Sequence, residues 1–429
     1  MSIAFFWFFV MLMALGTPVV FALLIGPGLG LVLDDQQQYF SALLSRFYNG
    51  VDSFPLLAVP FFILAGELMN AGGITRSIVN FSLSLVGHVR GGLAQVNILS
   101  SMLFAGISGS AVADASAIGK MLVPAMVQNG YKRSFAAGVT AAAAVIGPII
   151  PPSGIMVLYG FVMNVSIGAL FAAGIVPGVM IGLGLMLVTR LLAARHDLPV
   201  AARRATWPER GKAFREAALA LVMPVILLGG MLSGFFTATE AAAVAAAYAL
   251  IVAPFVLRTV GWADLKRIFV ATAMQSGVIL MLVGAAVTLA WLVTVSGMAQ
   301  GIAGAMLGLT DNVYLLLFLL NLLLFAVGMF LDAGPAILIL GPVLAPVFVE
   351  LGVHPVHFAL VMCVNLTVGL ATPPMGLVLF VAASVSGERI ESIVRAMLPF
   401  LAIEVVVIFL ITYFPALTLT VPRLLGLIQ

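Results

Sequence analysis

The sequence predicts an all-α integral membrane protein built from two inverted-topology repeats, each with a re-entrant helical hairpin and a broken helix. Three observations support this: an apolar composition, an internal repeat, and one proline-rich motif that occurs once in each repeat. Of the 429 residues, 63% are hydrophobic and 8% are charged. Soluble globular chains are about half apolar and a quarter charged. So few charges cannot cover a soluble exterior, which places this chain in a lipid bilayer.

Apolar stretches long enough to cross a bilayer recur along the chain, since one crossing takes about 20 residues. The predicted spans are 3–33, 55–71, 134–163, 167–192, 217–236, 238–257, 268–293, 356–385 and 395–415. Two other apolar segments, 91–130 and 312–352, have about twice the length of one crossing and contain small residues near their middle.

The charge distribution orients these spans. The segment 190–216 carries 7 of the 19 Lys and Arg residues, and cytoplasmic loops are enriched in such residues. We therefore place 190–216 in the cytoplasm rather than against nucleic acid. We then count membrane crossings in both directions from 190–216. The other basic loops fall inside, and the acidic or neutral loops fall outside, only if 91–130 and 312–352 are re-entrant hairpins. The first hairpin then enters from the cytoplasm and the second from the outer side.

An ungapped repeat appears when each position n is compared with position n + 222. Residues that coincide include Gly106 with Gly328, Gly119 with Gly341, Pro124 with Pro346, Gly147 with Gly369, Pro151 with Pro373, and Pro152 with Pro374. The two Pro-Pro-x-Gly motifs in register are the most specific of these matches. Because the charges orient the copies oppositely, the repeat is inverted, which is typical of secondary transporters.

The motifs GPIIPPSG, 147–154, and GLATPPMG, 369–376, predict two breaks in membrane helices. Proline removes a backbone donor and clashes with the preceding turn. Unwound backbone in a bilayer is tolerated where it is buried in protein or lines a watery cavity. Its carbonyl groups can bind a small cation, and the adjoining helix N-termini can face an anion. The alternative is a kink that serves only packing.

Each predicted hairpin has a small-residue tip. Ser108, Gly109 and Ser110 form the first, where hydroxyl oxygens suit a hard cation. Asp332 in the second is the register partner of Ser110. Ionisable groups in a membrane are costly and suggest function, so Asp114, Lys120 and Asp332 are candidates. Helix capping is the alternative for Asp332, and a structural role is the alternative for the other two.

Other chemistry is not indicated. Cys363 is the only cysteine, which excludes an intrachain disulfide. The four histidines fall in predicted loops without metal-ligand spacing, and the chain has no phosphate-binding P-loop. Thr237 and Glu240 predict a helix cap rather than a site. We find no paired catalytic groups and predict that the protein is not an enzyme. Energy for transport must come from an ion gradient or from another chain.

Several motifs together resemble the large membrane subunit (DctM type) of tripartite ATP-independent periplasmic (TRAP) transporters. They are FPLLAVPFFILAGELMNAGGI, GISGSAVADASAIG, VIGPIIPPSG, FFTATEAAAVAA and GLATPPMG, in the family's order and over almost the whole chain. The resemblance implies an elevator-type fold, Na⁺ as coupling ion with no organic cofactor, and an organic carboxylate as substrate. The implied partners are a small four-helix membrane subunit and a soluble periplasmic substrate-binding protein. The implied location is the bacterial inner membrane.

The resemblance also assigns residues, motif by motif. It implies one sodium site at Ser108, Ser110, Gly147, Ile150 and Pro151. It implies a second site, largely of backbone oxygens, at Gly328, Gly369, Thr372 and Met375. The substrate is expected between the tips. Its expected contacts are Ser108, Gly109, Ser110, Asp332, Pro152, Ser153, Pro373 and Pro374.

The expected domain division follows the repeat. Residues 1–58 form an N-terminal scaffold span, 59–90 a span and arm, 91–166 the first transport half, 167–267 scaffold helices, 268–311 a span and arm, 312–387 the second transport half, and 388–429 a C-terminal scaffold span. Two other functions remain open at this point: a self-sufficient sodium–dicarboxylate symporter, and an ion channel.

Overall fold

A computed structural model describes residues 4–195, 198–199, 203–310 and 312–428, and every regular element in those ranges is helical. Seven helices of the described residues are long and apolar enough to cross a membrane. These observations confirm an all-α, multi-pass membrane protein. Parts of the predicted cytoplasmic loop 190–216, and Asp311 in an outer connection, lie outside the described residues.

The N-terminal region differs from the prediction of one span over 3–33. It forms two helices, α1 (Ala4–Ala14) and α2 (Val19–Leu33), which pack against each other. The chain reverses at Gly16, whose φ is +81°, and at Pro18, which precedes α2. A Cβ added to Gly30 would lie 2.4 Å from the Cβ of Phe5. Glycine therefore permits this close packing, and the prediction of a single span was wrong.

Three helices lead to the first repeat half. They are α3 (Phe40–Val51), α4 (Ala58–Ala71), which follows a short 3-10 turn, and α5 (Ile74–Val86). The helices of the first half are α6 (Gly92–Ser108), α7 (Ala111–Gln128), α8 (Arg133–Ala144), α9 (Gly154–Val162) and α10 (Ile167–Arg195). Helices α6 and α7 form a helical hairpin, and α8 and α9 are the two parts of the first broken helix.

Four helices connect the two halves: α11 (Trp207–Leu232), α12 (Ala238–Ile251), α13 (Trp262–Val295) and α14 (Met298–Leu309). A π-helical segment, Val252–Val256, extends α12. Thr237 caps α12, because its Oγ1 accepts the Glu240 amide at 3.3 Å while Glu240 Oε2 accepts the Thr237 amide at 2.8 Å. The predicted capping role of Thr237 and Glu240 is therefore confirmed.

The second half repeats the first. Its helices are α15 (Val313–Gly328), α16 (Ala333–Glu350), α17 (Pro355–Gly369), α18 (Leu377–Ser386) and α19 (Ile390–Tyr413), followed by α20 (Ala416–Leu424). Helix α16 begins and ends 222 residues after α7 begins and ends, which is the displacement of the sequence repeat. The repeat is thus present in the helix boundaries as well.

Contacts between the halves obey the same register. A Cβ added to Gly119 of α7 would lie 3.3 Å from Cγ1 of Val385 in α18. A Cβ added to Gly341 of α16 would lie 3.5 Å from Sδ of Met163, at the end of α9. Met163 is the register partner of Val385. Each hairpin therefore packs against the broken helix of the opposite half. The two halves interlock around their breaks.

The other contacts fall into two groups. Helix α10 packs against α19 and α20, and all three contact the broken helices. Helices α11 and α12 instead pack with α4 and α5, while α13 packs with α2, α3 and α4. The hairpins touch this second group where α6 meets α4 and α11, and where α16 meets α13 and α14.

Candidate functional site

The first break separates α8, which ends at Ala144, from α9, which begins at Gly154. Ser153 caps α9: its Oγ accepts the Met156 amide at 3.4 Å and donates to the carbonyl oxygen of Pro148. Within the described part of the chain, no group donates a hydrogen bond to the carbonyl oxygens of Gly147, Ile150 or Pro151. These oxygens are free to bind a ligand.

The tip of the first hairpin lies directly on this break. Gly109 has φ +59°, and a Cβ added there would lie 2.8 Å from the carbonyl oxygen of Pro152. Glycine provides both the left-handed backbone and the room for this approach. Ser110 then caps α7, because its Oγ accepts the Ala113 amide at 3.4 Å. The structure therefore brings the predicted tip residues and the first break together.

Asp114 is the acidic side chain at this first contact. Its side chain is fully buried, and its Oδ1 accepts a hydrogen bond from Ser108 Oγ. A Cβ added to Gly147 would lie 2.4 Å from Asp114 Oδ2, and that oxygen has no hydrogen-bond partner among the described residues. The carboxylate thus joins the hairpin tip to the break and presents one unpaired oxygen there.

The second break separates α17, which ends at Gly369, from α18, which begins at Leu377. Thr372 folds back on the preceding helix, where its Oγ1 donates to Val368 O at 2.9 Å and its amide donates to Gly369 O at 2.9 Å. Among the described residues, nothing donates to the carbonyl oxygens of Gly328 or Met375. Both bonds Pro151–Pro152 and Pro373–Pro374 are cis, so the two breaks share this geometry as well.

The second tip touches its break through two glycines. A Cβ added to Gly369 would lie 2.6 Å from the Cα of Gly328, so the two backbones are in direct contact. Asp332 is exposed and caps α16, its Oδ1 accepting the Ala333 amide at 2.8 Å. Pro374 and Met375 are also exposed, whereas Gly147, Pro151 and Pro152 are buried. The second break is therefore more exposed than the first.

Four helix N-termini lie at these two contacts. Helices α7 and α16 begin at the tips, after Ser110 and Asp332, and helices α9 and α18 begin at the ends of the breaks. A helix N-terminus carries about half a positive charge and presents free amide groups. The arrangement combines carbonyl oxygens, which can bind a cation, with helix N-termini, which can bind an anion.

Sequence reasoning placed other residues less well. Lys120 is exposed and lies apart from the buried Asp114, although both were candidates. Asp114 itself was left between a structural and a functional role. Asp114 lies four residues after Ser110, one turn into α7, and this spacing places it on the same helix face as the tip residue. That spacing could have identified Asp114 from the sequence.

His357 was predicted in an outer loop, which was wrong. It is 2% exposed within α17, with Nδ1 2.8 Å from Thr418 Oγ1 and Nε2 3.2 Å from Thr412 O. Thr412 also hydrogen-bonds Asn321, whose Oδ1 accepts from Asn365 Nδ2 at 2.8 Å. Interhelical hydrogen bonds thus connect α15, α17, α19 and α20 behind the second break.

Comparison with known proteins gives one consistent answer. Residues 5–417 match the family model "Tripartite ATP-independent periplasmic transporter, DctM component". The chain is 40% identical over 412 residues to the sialic acid TRAP transporter large permease protein SiaM of Vibrio cholerae, covering 95% of each chain. It is 38% identical over 386 residues to the C4-dicarboxylate TRAP transporter large permease protein DctM of Pseudomonas aeruginosa, covering 90% of each.

A third relative is the isethionate TRAP transporter permease protein DctMQ of Oleidesulfovibrio alaskensis, 41% identical over 370 residues. That match covers 86% of this chain and 58% of the longer relative. Two solved structures share the fold. The MtrF efflux pump of Neisseria gonorrhoeae has a TM-score of 0.63 at 14% identity, covering 89% of this chain and 85% of its own. The YdaH transporter of Alcanivorax borkumensis has a TM-score of 0.60 at 17% identity, covering 92% and 88%.

Proposed function

The chain belongs to the DctM component family of tripartite ATP-independent periplasmic transporters, and from that premise we propose that it imports an organic carboxylate driven by sodium. The observation that carries the proposal is the pair of equivalent contacts between a hairpin tip and a broken helix. Each contact combines carbonyl oxygens without intramolecular partners and two helix N-termini. Cation and anion sites in broken membrane helices are built from these groups.

The first sodium ion is proposed to bind at Ser108, Ser110, Gly147, Ile150 and Pro151. Asp114 adds the negative charge, since its unpartnered Oδ2 lies against Gly147. A buried carboxylate without a partner is costly, and a cation at the break would offset that cost. Hydroxyl, carbonyl and carboxylate oxygens are the ligands that hard cations prefer.

The second sodium ion is proposed to bind at Gly328, Gly369, Thr372 and Met375. The carbonyl oxygens of Gly328 and Met375 accept no hydrogen bond from the described residues, which supports this set. Its first-half counterpart includes a carboxylate, whereas residue 336, the register partner of Asp114, is alanine. The second site thus relies on uncharged oxygens.

The substrate carboxylate is proposed to lie between the tips, near Ser108, Gly109 and Ser110 on one side and Pro373 and Pro374 on the other. Pro152 and Ser153 complete the set. The N-termini of α7, α9, α16 and α18 supply positive potential for an anion. Asp332 would repel a carboxylate, and its hydrogen bond to the Ala333 amide supports a role in holding the tip instead.

The movement is proposed to be an elevator, in which hairpins that enter from opposite faces travel with the breaks. The domain prediction assigned 167–267 and 388–429 to the scaffold. We propose instead that α10, α19 and α20 travel with the breaks, because all three pack on the broken helices and because α19 and α20 also hydrogen-bond to His357 of α17. Helices α5 and α14, which coincide in the repeat, are proposed as the arms.

The family implies two partners, a small membrane subunit and a periplasmic binding protein. The match to one part of a longer DctMQ permease supports a separate small subunit for this chain. We propose the inner membrane as its location, with 190–216 in the cytoplasm. We propose that the binding protein selects the substrate, since related permeases of this family are named for different compounds.

Uptake by proteoliposomes containing this chain and both partners tests the proposal. Accumulation should require an inward sodium gradient and the binding protein. Equal accumulation without sodium would refute the coupling. Accumulation by this chain alone would favour a self-sufficient symporter, and passive conduction far above carrier rates would favour a channel.

A further inference from the structure

A crevice lies away from the breaks, between the end of α5, the start of α6 and the last turns of α10. The crevice has a volume of about 620 Å³ and is lined by Val86, Val89, Arg90, Gln95, Leu183, Met186, Leu187, Arg190 and Ala194. We propose that it binds an anionic phospholipid with a hydroxylated headgroup, of the phosphatidylglycerol class.

The polarity of the crevice changes along α10 as it does along a lipid. Leu183 and Leu187 are 58% and 55% exposed, so they present apolar surface at one end of the crevice. Arg190 lies two helical turns beyond Leu183, a rise of about 10 Å along the helix. One end of the crevice therefore suits acyl chains and the other suits a charged headgroup.

Two arginines define the charged end. Arg90 and Arg190 come from different parts of the chain and are both exposed at the crevice. Guanidinium groups bind phosphate oxygens in bidentate geometry. Basic pockets between membrane helices are a recognised binding geometry for anionic lipid headgroups. A phosphodiester of the headgroup can therefore bridge the two side chains.

Gln95 selects the rest of the headgroup. It is 5% exposed, and its Nε2 donates to Met186 O at 2.8 Å, which fixes the orientation of the amide. Its Oε1 has no hydrogen-bond partner among the described residues. Oε1 is therefore an acceptor that needs a donor, and a glycerol hydroxyl provides one. Phosphatidylglycerol carries both a phosphate for the arginines and a hydroxyl for Gln95.

The test measures the phospholipid retained by the purified full chain, using native mass spectrometry after exchange into nanodiscs of phosphatidylglycerol and phosphatidylcholine. The double variant R90Q/R190Q should lose about tenfold in phosphatidylglycerol retention. The matched control R204Q/R215Q removes two exposed charges that lie outside the crevice and should retain the lipid as the unaltered chain does. Equal retention by the two double variants would overturn the proposal.

Two further measurements keep the test decisive if R90Q/R190Q folds poorly. L187W fills the apolar end while leaving both arginines, and it should also reduce retention; undiminished retention counts against the site. A photo-crosslinking amino acid at position 187 should form an adduct with the mass of the lipid. An adduct with a polypeptide would show that the crevice is a subunit contact and would overturn the lipid assignment.

Discussion

Replacing Gly369 with alanine tests whether the second tip and the second break form one rigid ion site. The new Cβ would lie 2.6 Å from Gly328 Cα and 2.7 Å from the Gly328 carbonyl carbon. Cβ atoms ordinarily make contacts at 3.4–4 Å. The two backbones must therefore separate by about 0.8 Å, because neither is a side chain that can rotate away.

That displacement is large for a binding site. Site groups have to stay within about 0.5 Å of their working positions, and a misplacement of about 1 Å can cost about 100-fold. We expect Gly369→Ala to weaken the apparent affinity for sodium by about 10- to 100-fold. The assay is substrate uptake in proteoliposomes with both partner subunits, measured as a function of sodium concentration.

The control is Gly229→Ala in α11, where an added Cβ has no atom within 4 Å. Thermal unfolding in detergent separates loss of the fold from loss of the site, since overpacking costs about 1–3 kcal/mol of stability. A sodium titration of Gly369→Ala that superimposes on that of Gly229→Ala would refute the reasoning. Gly328 and Gly369 would then be packing partners without a role in ion binding.

Three other predictions address the first site, the polar network and the topology. Asp114→Asn keeps the shape of the side chain but removes its acidic group, and it should weaken the apparent sodium affinity at least about tenfold, since two unit charges about 4 Å apart interact by about 4 kcal/mol at an effective dielectric constant of about 20; an unchanged sodium titration would contradict this. Thr418→Val removes the partner of His357 Nδ1 and should destabilise the protein by about 1–3 kcal/mol in thermal unfolding, whereas Thr420→Val, at an exposed position, should have little effect. Because Cys363 is fully buried, the single replacements Gln128→Cys and Glu350→Cys, at the exposed open ends of the two hairpins, can be labelled selectively with an impermeant thiol reagent, the first from the cytoplasmic side and the second from the outer side; labelling of both from one side would refute the inverted hairpins.

The repeat and the breaks could be predicted because they depend on local chemistry. Two prolines followed by glycine stop a helix wherever they occur, and one constant displacement along the sequence keeps these motifs in register. The helix boundaries of α7 and α16 follow the same displacement. Local sequence therefore determined where α7 and α16 begin and end.

Tertiary relationships were beyond this reasoning. The apolar stretch 3–33 has the composition of one long span, and only the contacts of Gly26 and Gly30 with α1 show that it folds back on itself. His357 resembles a loop residue in sequence, because its partners Thr412 and Thr418 belong to helices far along the chain. Neither contact leaves a periodic signal in the sequence.

The two proposed ion sites have equivalent breaks in their helices but differ in their acidic groups, and this difference has a consequence for the proposed cycle. In the first half a carboxylate lies against the break, and its unpartnered oxygen is fully enclosed. The equivalent position in the second half is Ala336, and the second break is exposed at Pro374 and Met375. A buried carboxylate requires a cation more strongly than uncharged carbonyl oxygens do. We therefore predict that sodium occupies the first proposed site before the second.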